Sequence, residues 1–572
     1  MKNKIGLLTI ALLFAIAFSC SDSFLDRKPY GVSTLNTLTA SESGADALLI
    51  AAYSNLDGFS GWDKGSIWGG AASNWTFGSI CGGDAYKGSE ANDQPDVTPM
   101  EKHVTTPNNP YVEGKWGTYY DGVQRTNAAI NAFQILGKDA ISDAQRNKRI
   151  AEARFLRGFY HLELRKVFGK VPYIDETLAD VRIGNAEDIL PKIQADFIFA
   201  AANLPVKNDD DGRINKGAAQ GFLGVTYMWA KQYAQAKAQF DAVINSGNYA
   251  LSPKFHDNFD PLFRNTKESL LEVQQTANDG SGNTDNGNNG DILNFPYNGG
   301  PGGCCGFHQP SQNLVNAYQT DGAGLPLLDT YNNSDVKSDD GLKSSDPFTT
   351  HTGNLDPRLD WTVGRRGIPY LDWGRHPGRD WIRDQTYSGP YAPIKNVYPK
   401  ALEGTASSVI GWTKGYNNNN TKLFRYSDLL LMAAEAEVEL GNLATALNYV
   451  NRIRTRAANK EGFVKTSAGL NAANYVIGLY SSFPSQDFAR KAVRFERRLE
   501  LGMEGHRFFD LVRWGIADVE KNAYFAKEGL KRTYLQGAIF KKGVNEVFPI
   551  PNQAILSSSK GGSATLVQNP GY

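Results

Sequence analysis

Cys304 and Cys305 stand side by side in a run of glycines, Tyr297-Asn-Gly-Gly-Pro-Gly-Gly-Cys-Cys-Gly-Phe307. Adjacent cysteines are unusual partners, because neighbouring Cα atoms sit about 3.8 Å apart, below the usual bridge range. Three states are open: a bridge between the two, two free thiols, or one of them paired with Cys81. Bridged, they would offer a hard, flat sulfur face on which a sugar ring could rest. The surrounding glycines permit positive φ and close approach of backbone to a ligand.

The tryptophans carry the next chemical signal. Of the 10, Trp116, Trp229 and Trp514 fall in helical patterns and read as core. Trp62, Trp68, Trp75, Trp361, Trp373, Trp381 and Trp412 fall in irregular stretches. An indole has a flat apolar face and an N–H handle. That suits the C–H faces and hydroxyl rims of sugars, particularly beside Asp, Asn and Arg. The expected ligand surface is built by 62–87, which supplies Trp75 and Asp84, and by 297–308, which supplies Tyr297, Cys304, Cys305 and Phe307. The segment 361–381 adds Trp373 and Arg375, whose guanidinium has five donors for adjacent hydroxyls. Trp75 as a core residue and the Cys-Cys loop as a structural clasp are the competing readings.

Covalent chemistry has no comparable signature. There is no His-Glu-x-x-His, Cys-x-x-Cys, Gly-x-Ser-x-Gly or phosphate-binding loop. The 7 histidines are scattered, and Glu504 with His506 reads as a surface pair. The Asn-rich loop 278–291 suggests calcium, but Asp285 at position 1 would require Glu where Pro296 stands, so it reads as a solvated loop. No metal or cofactor is expected. Sixty acidic residues would allow many glycosidase pairs, and sequence places none of them at catalytic separation.

The elements that must position these groups are mainly helical. Helical patterns run at 42–58, 112–136, 142–168, 186–203, 216–246, 425–457, 486–503 and 508–522. In 142–168, Phe155, Leu156, Phe159, Tyr160, Leu162 and Val167 form an apolar stripe, which Gly169 and Pro172 end. Two blocks have tetratricopeptide-like spacing. The first has Leu223, Gly224, Tyr227, Ala236 and Phe240. The second has Ala433, Ala434, Ala446, Val450 and Ile453, with Glu437 in place of the aromatic. Between them, 251–424 is Gly-, Pro-, Asn- and aromatic-rich, with one strand expected at Glu268–Thr276. That length exceeds a linker and predicts a loop-rich insert on a helical scaffold of about 20–250 and 425–572.

Composition agrees. The 60 basic and 60 acidic residues cancel, which argues against nucleic-acid binding. The 11% aromatic content argues against general disorder. Lys2 and Lys4 precede an apolar run, Ile5 to Phe18, broken only by Gly6 and Thr9. At about 1.5 Å per residue this run is too short for a hydrocarbon core of roughly 30 Å. Residues 1–19 therefore read as a signal peptide. Ala17-Phe18-Ser19-Cys20 is a bacterial lipoprotein cleavage pattern, with Cys20 as the acylated residue. The three chains so attached exceed what stable anchoring needs. Ser21-Asp22-Ser23 is consistent with onward export to the cell surface.

From Cys20-Ser-Asp-Ser-Phe-Leu-Asp26 onward the chain resembles the SusD/RagB family of outer-membrane nutrient-binding lipoproteins. The resemblance runs through Arg149–Pro172, the 217–249 hairpin ending Asn-Ser-Gly-Asn-Tyr-Ala-Leu, Asp356–Leu359, 425–456, 494–514, Pro549-Ile-Pro-Asn-Gln-Ala-Ile555 and Gln568–Tyr572. It implies a SusD-like fold, mainly α with minor β, of tetratricopeptide-like pairs carrying a loop-rich ligand region. It also implies a lipid-anchored protein facing the cell exterior. Such a protein captures oligo- or polysaccharide for a SusC-like TonB-dependent transporter, without catalysis. A surface glycoside hydrolase and a peptide- or protein-binding repeat scaffold are the alternatives.

Overall fold

A computed structural model describes residues 39, 41–59, 67–208, 210–281 and 286–572. Residues 1–19, expected to be a signal peptide, and Cys20, Trp62 and Asp285 lie outside the described residues.

The longer helices are α1 (Glu42–Ser54), α2 (Pro110–Ile135), α3 (Asp143–Phe168), α4 (Leu190–Asn203), α5 (Lys216–Trp229), α6 (Tyr233–Asn245), α7 (Tyr426–Glu439), α8 (Leu443–Ala457), α9 (Gln486–Leu501), α10 (Arg507–Trp514) and α11 (Ala517–Glu528). Local chemistry sets their ends. Asn109 caps α2 ahead of Pro110, and Ser142, Asn215 and Ser485 cap α3, α5 and α9 through their side-chain oxygens. Gly169, at φ +70°, closes α3.

Helices α2 to α6 pack in chain order, and α7 then packs on α6 although some 180 intervening residues separate them in sequence. Helices α8 and α9 complete the array against α7. The α3 stripe is buried throughout. At the α5–α6 crossing, a Cβ on Gly224 would lie 2.4 Å from Phe240 Cε1, so the close approach requires glycine there. Glu437, standing where an aromatic was expected, is buried and bonds Lys237 of α6 at 3.2 Å. It thereby joins the two repeat-like pairs.

The insert is pinched at its neck. Strand β2 (Ser269–Val273) pairs antiparallel with β6 (Thr421–Arg425), so the chain enters and leaves the insert through one two-stranded sheet. Two further short pairs shape the insert. Strand β1 (Ala85–Gly88) pairs with β3 (Phe307–Pro310), and β4 (Val363–Gly364) pairs with β5 (Ala392–Pro393).

Under the neck lies a buried ionic cluster. Arg425 reaches Glu268 (3.0 Å), Glu500 (2.6 Å) and Glu504 (2.8 Å). Arg456 bonds Glu268 and Glu500. Arg358 bonds Asp356 (2.8 Å), Glu496 (2.7 Å) and Glu500 (3.1 Å), while Arg454 bonds Glu496 (2.8 Å) and Lys395 bonds Glu504 (2.6 Å). Five cations (Arg358, Arg425, Arg454, Arg456, Lys395) thus face five anions (Asp356, Glu268, Glu496, Glu500, Glu504), and the cluster is neutral. Burial alone would raise the Glu500 carboxyl, but Arg456, Arg425 and Arg358 hold it well below the usual carboxylate range. Glu504 is likewise held down, to about 2, by Arg425 and Lys395 against burial. The expectation of a surface Glu504–His506 pair is therefore corrected. Glu504 belongs to this cluster, and His506 is only partly exposed, 3.9 Å from Asp428.

Candidate functional site

Three segments converge on an open cleft of about 760 Å³ in the insert. The first is the glycine loop 297–306. Its course is set by positive φ at Asn298, Gly299, Gly302, Gly303 and Gly306. Gly306 N–H donates to Phe295 O (2.9 Å) and Tyr297 N–H donates to Trp381 O (2.8 Å). A Cβ on Gly302 would meet Phe295 Cγ at 2.6 Å, so this turn sits directly on the core beneath it. Cys304 and Cys305 are bridged to each other across a cis peptide bond, while Cys81 is free and buried, its thiol pushed up by burial. Cys304 is half-buried and lines the cleft; Cys305 is buried beneath it.

The second segment, 403–414, forms the opposite lip. Asn278 fastens it. Its Nδ2 donates to the carbonyls of Gly404 (3.0 Å) and Ser407 (2.9 Å), and its Oδ1 accepts from Val409 N–H (3.0 Å). Thr413 Oγ1 donates to Gly302 O at 2.7 Å and ties the two lips together. Lys414 and Glu403 form an exposed ion pair at 2.8 Å. Trp412 is 61% exposed, with its N–H donated to Tyr416 Oη at 3.1 Å. Val409 and Ile410 beside it are also exposed. This lip therefore presents a contiguous apolar edge.

The third segment supplies Trp373. Its N–H donates to Tyr398 O (3.0 Å), and its ring packs on a small cluster that includes Phe295, Tyr370, Val397 and Tyr398. The indole is half-buried and lines the cleft. One wall is thus a fixed indole, another an exposed indole, and the floor is glycine backbone capped by a disulfide. Such a surface can stack on apolar ring faces and hydrogen-bond a hydroxyl rim through backbone and side-chain groups.

Of the residues expected from sequence to contact ligand, the cleft brings together Cys304 and Trp373, with Cys305 directly below. Tyr297 is half-buried outside the lining, with the Arg383 guanidinium 5.4 Å from its ring centroid. Arg375 is exposed and also lies outside the lining. Trp75, Asp84 and Phe307 are corrected to core. Trp75 is 0% exposed, donates its N–H to Gly290 O (2.9 Å) and meets Phe307 edge-on at 6.2 Å. Asp84 accepts from Arg498 Nε at 3.1 Å in a buried pair. The physical reason is the β1–β3 pairing, which lays 85–88 against 307–310 and encloses what precedes it. The Asn-rich loop is solvated as expected at 278–281 and 286, but its last residues, 287–291, turn inward. Asn288, Asn289 and Asp291 are buried, and Asp291 accepts from Ser73 (2.7 Å), Asn288 (3.1 Å) and Asn294 (2.8 Å). Among the described residues, no cluster of three or more His, Cys, Asp or Glu is arranged to hold a metal ion.

The sequence reading missed the 403–414 lip. The available signal was Trp412 itself, an irregular-region tryptophan next to Val409-Ile410 and bracketed by glycines. Which distant loops would meet was not written in any local pattern.

A repeat-like helical array with a pinched, loop-rich insert defines the architectural class. Comparison with known proteins gives the family. The SusD family model matches residues 267–572. A second model, described as starch-binding associating with outer membrane, matches 24–228. The chain belongs to the SusD family. A SusD-like protein of Bacteroides ovatus is 28% identical, covering 90% of this chain and 83% of the relative. The starch-binding protein SusD of Bacteroides thetaiotaomicron is 22% identical over 74% of each chain. Among solved structures, a laminarin-binding SusD-like protein superposes with a TM-score of 0.65 at 24% identity, covering 93% of this chain and 100% of that one. Surface glycan-binding protein A of Bacteroides thetaiotaomicron, in complex with laminarihexaose, gives 0.66 at 20% identity, with 93% and 100% covered. These superpositions establish the SusD-like fold. Among the described residues no helix is long and apolar enough to cross a membrane.

Proposed function

We propose that this chain is a cell-surface glycan-binding protein. It captures oligo- or polysaccharide in the cleft between 299–304, Trp373 and 403–414, and passes it to a SusC-like TonB-dependent transporter. The observation that carries the reading is the exposed Trp412 facing the same cleft as Trp373 and the Cys304–Cys305 bridge. The relatives' names, starch-binding and laminarin-binding, support a glucan as the first ligand to try. The one charged pair at the cleft, Glu403–Lys414, is internally neutralised, which suits an uncharged saccharide. Glu403 is also the one carboxylate among the lining residues, whereas glycosidic hydrolysis uses two flanking carboxyl groups; capture without cleavage is accordingly the proposed activity. Acylation at Cys20 would hold the protein at the outer membrane, facing outward.

Affinity electrophoresis against laminarin, starch and charged polysaccharides tests the ligand class. Retardation by a neutral glucan, with no new reducing ends, is the expected result. Absence of retardation across the panel, or release of reducing ends that is lost on Glu403→Gln, would refute the reading. Pull-down from detergent-solubilised outer membranes should recover a partner of barrel-plus-plug size.

A further inference from the structure

We propose that the Cys304–Cys305 bridge is a redox latch on the ligand cleft. Oxidised, it holds the glycine lip in its binding shape; reduced, it frees the lip and saccharide affinity falls. This rests on the cleft being the glycan site, and it adds a control that the site reading does not contain.

The argument starts from what restrains the apex of the loop. Gly302 is held by Thr413 Oγ1, and Gly306 by its bond to Phe295 O and by the Ser89 N–H bonded to its carbonyl. Between these anchors, neither cysteine donates a backbone hydrogen bond among the described residues. Gly303 has no atom within 4 Å of where a Cβ would stand. Glycine at positive φ brings conformational freedom with it. Gly303 N–H adds a bond to Gly300 O at 3.2 Å; beyond that bond and core packing, the covalent link is what fixes the two cysteines of the apex that faces Trp373 and Trp412. Both cysteines pack against the hydrophobic core, but unequally: Cys305 is buried within it, whereas Cys304 is half-buried and also lines the cleft.

The same asymmetry makes the bridge reducible in the folded chain. A dithiol entering the cleft reaches Cys304 Sγ first. Its thiolate attacks that sulfur, the S–S bond breaks, and Cys305 leaves as a thiolate that takes up a proton. The reagent's second thiolate then attacks its own sulfur in the mixed disulfide and releases Cys304 as a thiol. Two electrons pass from the dithiol to the bridge; the dithiol leaves as a cyclic disulfide and the protein holds two thiols. Cys81 takes no part, being buried and free.

The test uses the purified chain with dithiothreitol as the reductant and laminarin as the saccharide probe. Alkylation with mass spectrometry reads the state of both cysteines, hydrogen exchange reads peptides covering 298–308, and calorimetry reads affinity. The expected result is two alkylated cysteines and faster exchange confined to 298–308. The melting temperature should hold, and affinity should be about tenfold weaker, the size of one lost stacking contact, returning on reoxidation. Cys304→Ala/Cys305→Ala should match the reduced chain and ignore the dithiol. Unchanged exchange and affinity with both thiols alkylated would overturn the proposal, as would a bridge that resists the dithiol while the chain stays folded. An oxidised chain that binds no saccharide, but whose lip loosens on reduction, would refute the glycan reading and leave the latch standing.

Discussion

Replacing Trp412 and Trp75 by alanine separates a ligand platform from a core residue of the same type. Trp412 is 61% exposed, and its indole N–H donates to the neighbouring Tyr416 hydroxyl. Truncation removes little buried surface, so the fold should keep its stability to within about 0.5 kcal/mol, as for other surface changes. A stacked sugar would lose its apolar face. By analogy with base–aromatic stacking this costs about 1–3 kcal/mol, or roughly 5- to 150-fold in Kd. Trp75 is the reverse case. It is fully enclosed against Phe307 and His308, and its N–H satisfies Gly290 O. Truncation leaves a cavity and an orphaned carbonyl, and large-to-alanine changes of this kind cost about 3–5 kcal/mol of stability. Calorimetric titration with laminarin, paired with thermal unfolding, reads both quantities for each variant. The expected pattern is crossed: Trp412→Ala melts normally and binds weakly, while Trp75→Ala melts early and binds normally at temperatures where it is folded. Full affinity in Trp412→Ala would move the site away from the 403–414 lip. Normal melting with lost affinity in Trp75→Ala would show that the 67–87 region reaches ligand after all.

Arg425→Ala should destabilise by about 3–5 kcal/mol, because it removes the cation that reaches Glu268, Glu500 and Glu504 and leaves four cations facing five anions in a buried site; denaturant unfolding measures it, and a change below 1 kcal/mol would contradict the cluster's role. Acid should expose the same cluster. Glu500 lies well below the usual range and Glu504 near 2, against about 4.3 unfolded, so their contribution is complete above that value and is lost as pH falls towards about 2; stability that stays flat from pH 5 to 2.5 would count against it. Gly224→Ala should force α5 and α6 apart, since the new methyl would meet Phe240 at 2.4 Å, and the melting temperature should fall although alanine is the better helix former. Cys20→Ala should abolish incorporation of labelled fatty acid, and persistent labelling would remove the lipoprotein assignment.

Helices were legible in the sequence because their signals are local. Ser142, Gly169 and the stripe from Phe155 to Val167 define α3 without reference to any other part of the chain. The repeat-like pairs were legible for the same reason, since Gly224 and Phe240 lie one hairpin apart. Even the neck was half visible, because Glu268–Thr276 has strand character; its partner Thr421–Arg425 follows an asparagine run that hides it. The charged residues of 356–359, 425–456 and 494–514 carry no local sign that they are buried. Their burial depends on Arg358, Arg425, Arg454 and Arg456 meeting carboxylates as far as 188 residues away in the chain, which no periodicity encodes.

The site was legible in kind and only partly in place, and the reason is the same. Residue type told which groups suit a sugar, and of those it named, Cys304 and Trp373 line the candidate cleft, with Cys305 beneath it. Residue type could not distinguish Trp75 from Trp412, because both sit in irregular sequence beside glycines. What separates them is long-range pairing. The β1–β3 ladder covers Trp75, whereas the 403–414 lip is held from the side by Asn278 and Thr413 and leaves Trp412 open. In a protein whose scaffold is fixed by helix packing, the proposed ligand surface is what the insert's loops leave uncovered. The residues that shape the cleft are therefore small polar fasteners as much as the aromatics. Asn278 alone makes three bonds to the lip that carries Trp412, so it is a positioning residue: Asn278→Ala should loosen the lip and weaken binding although it removes no lining side chain.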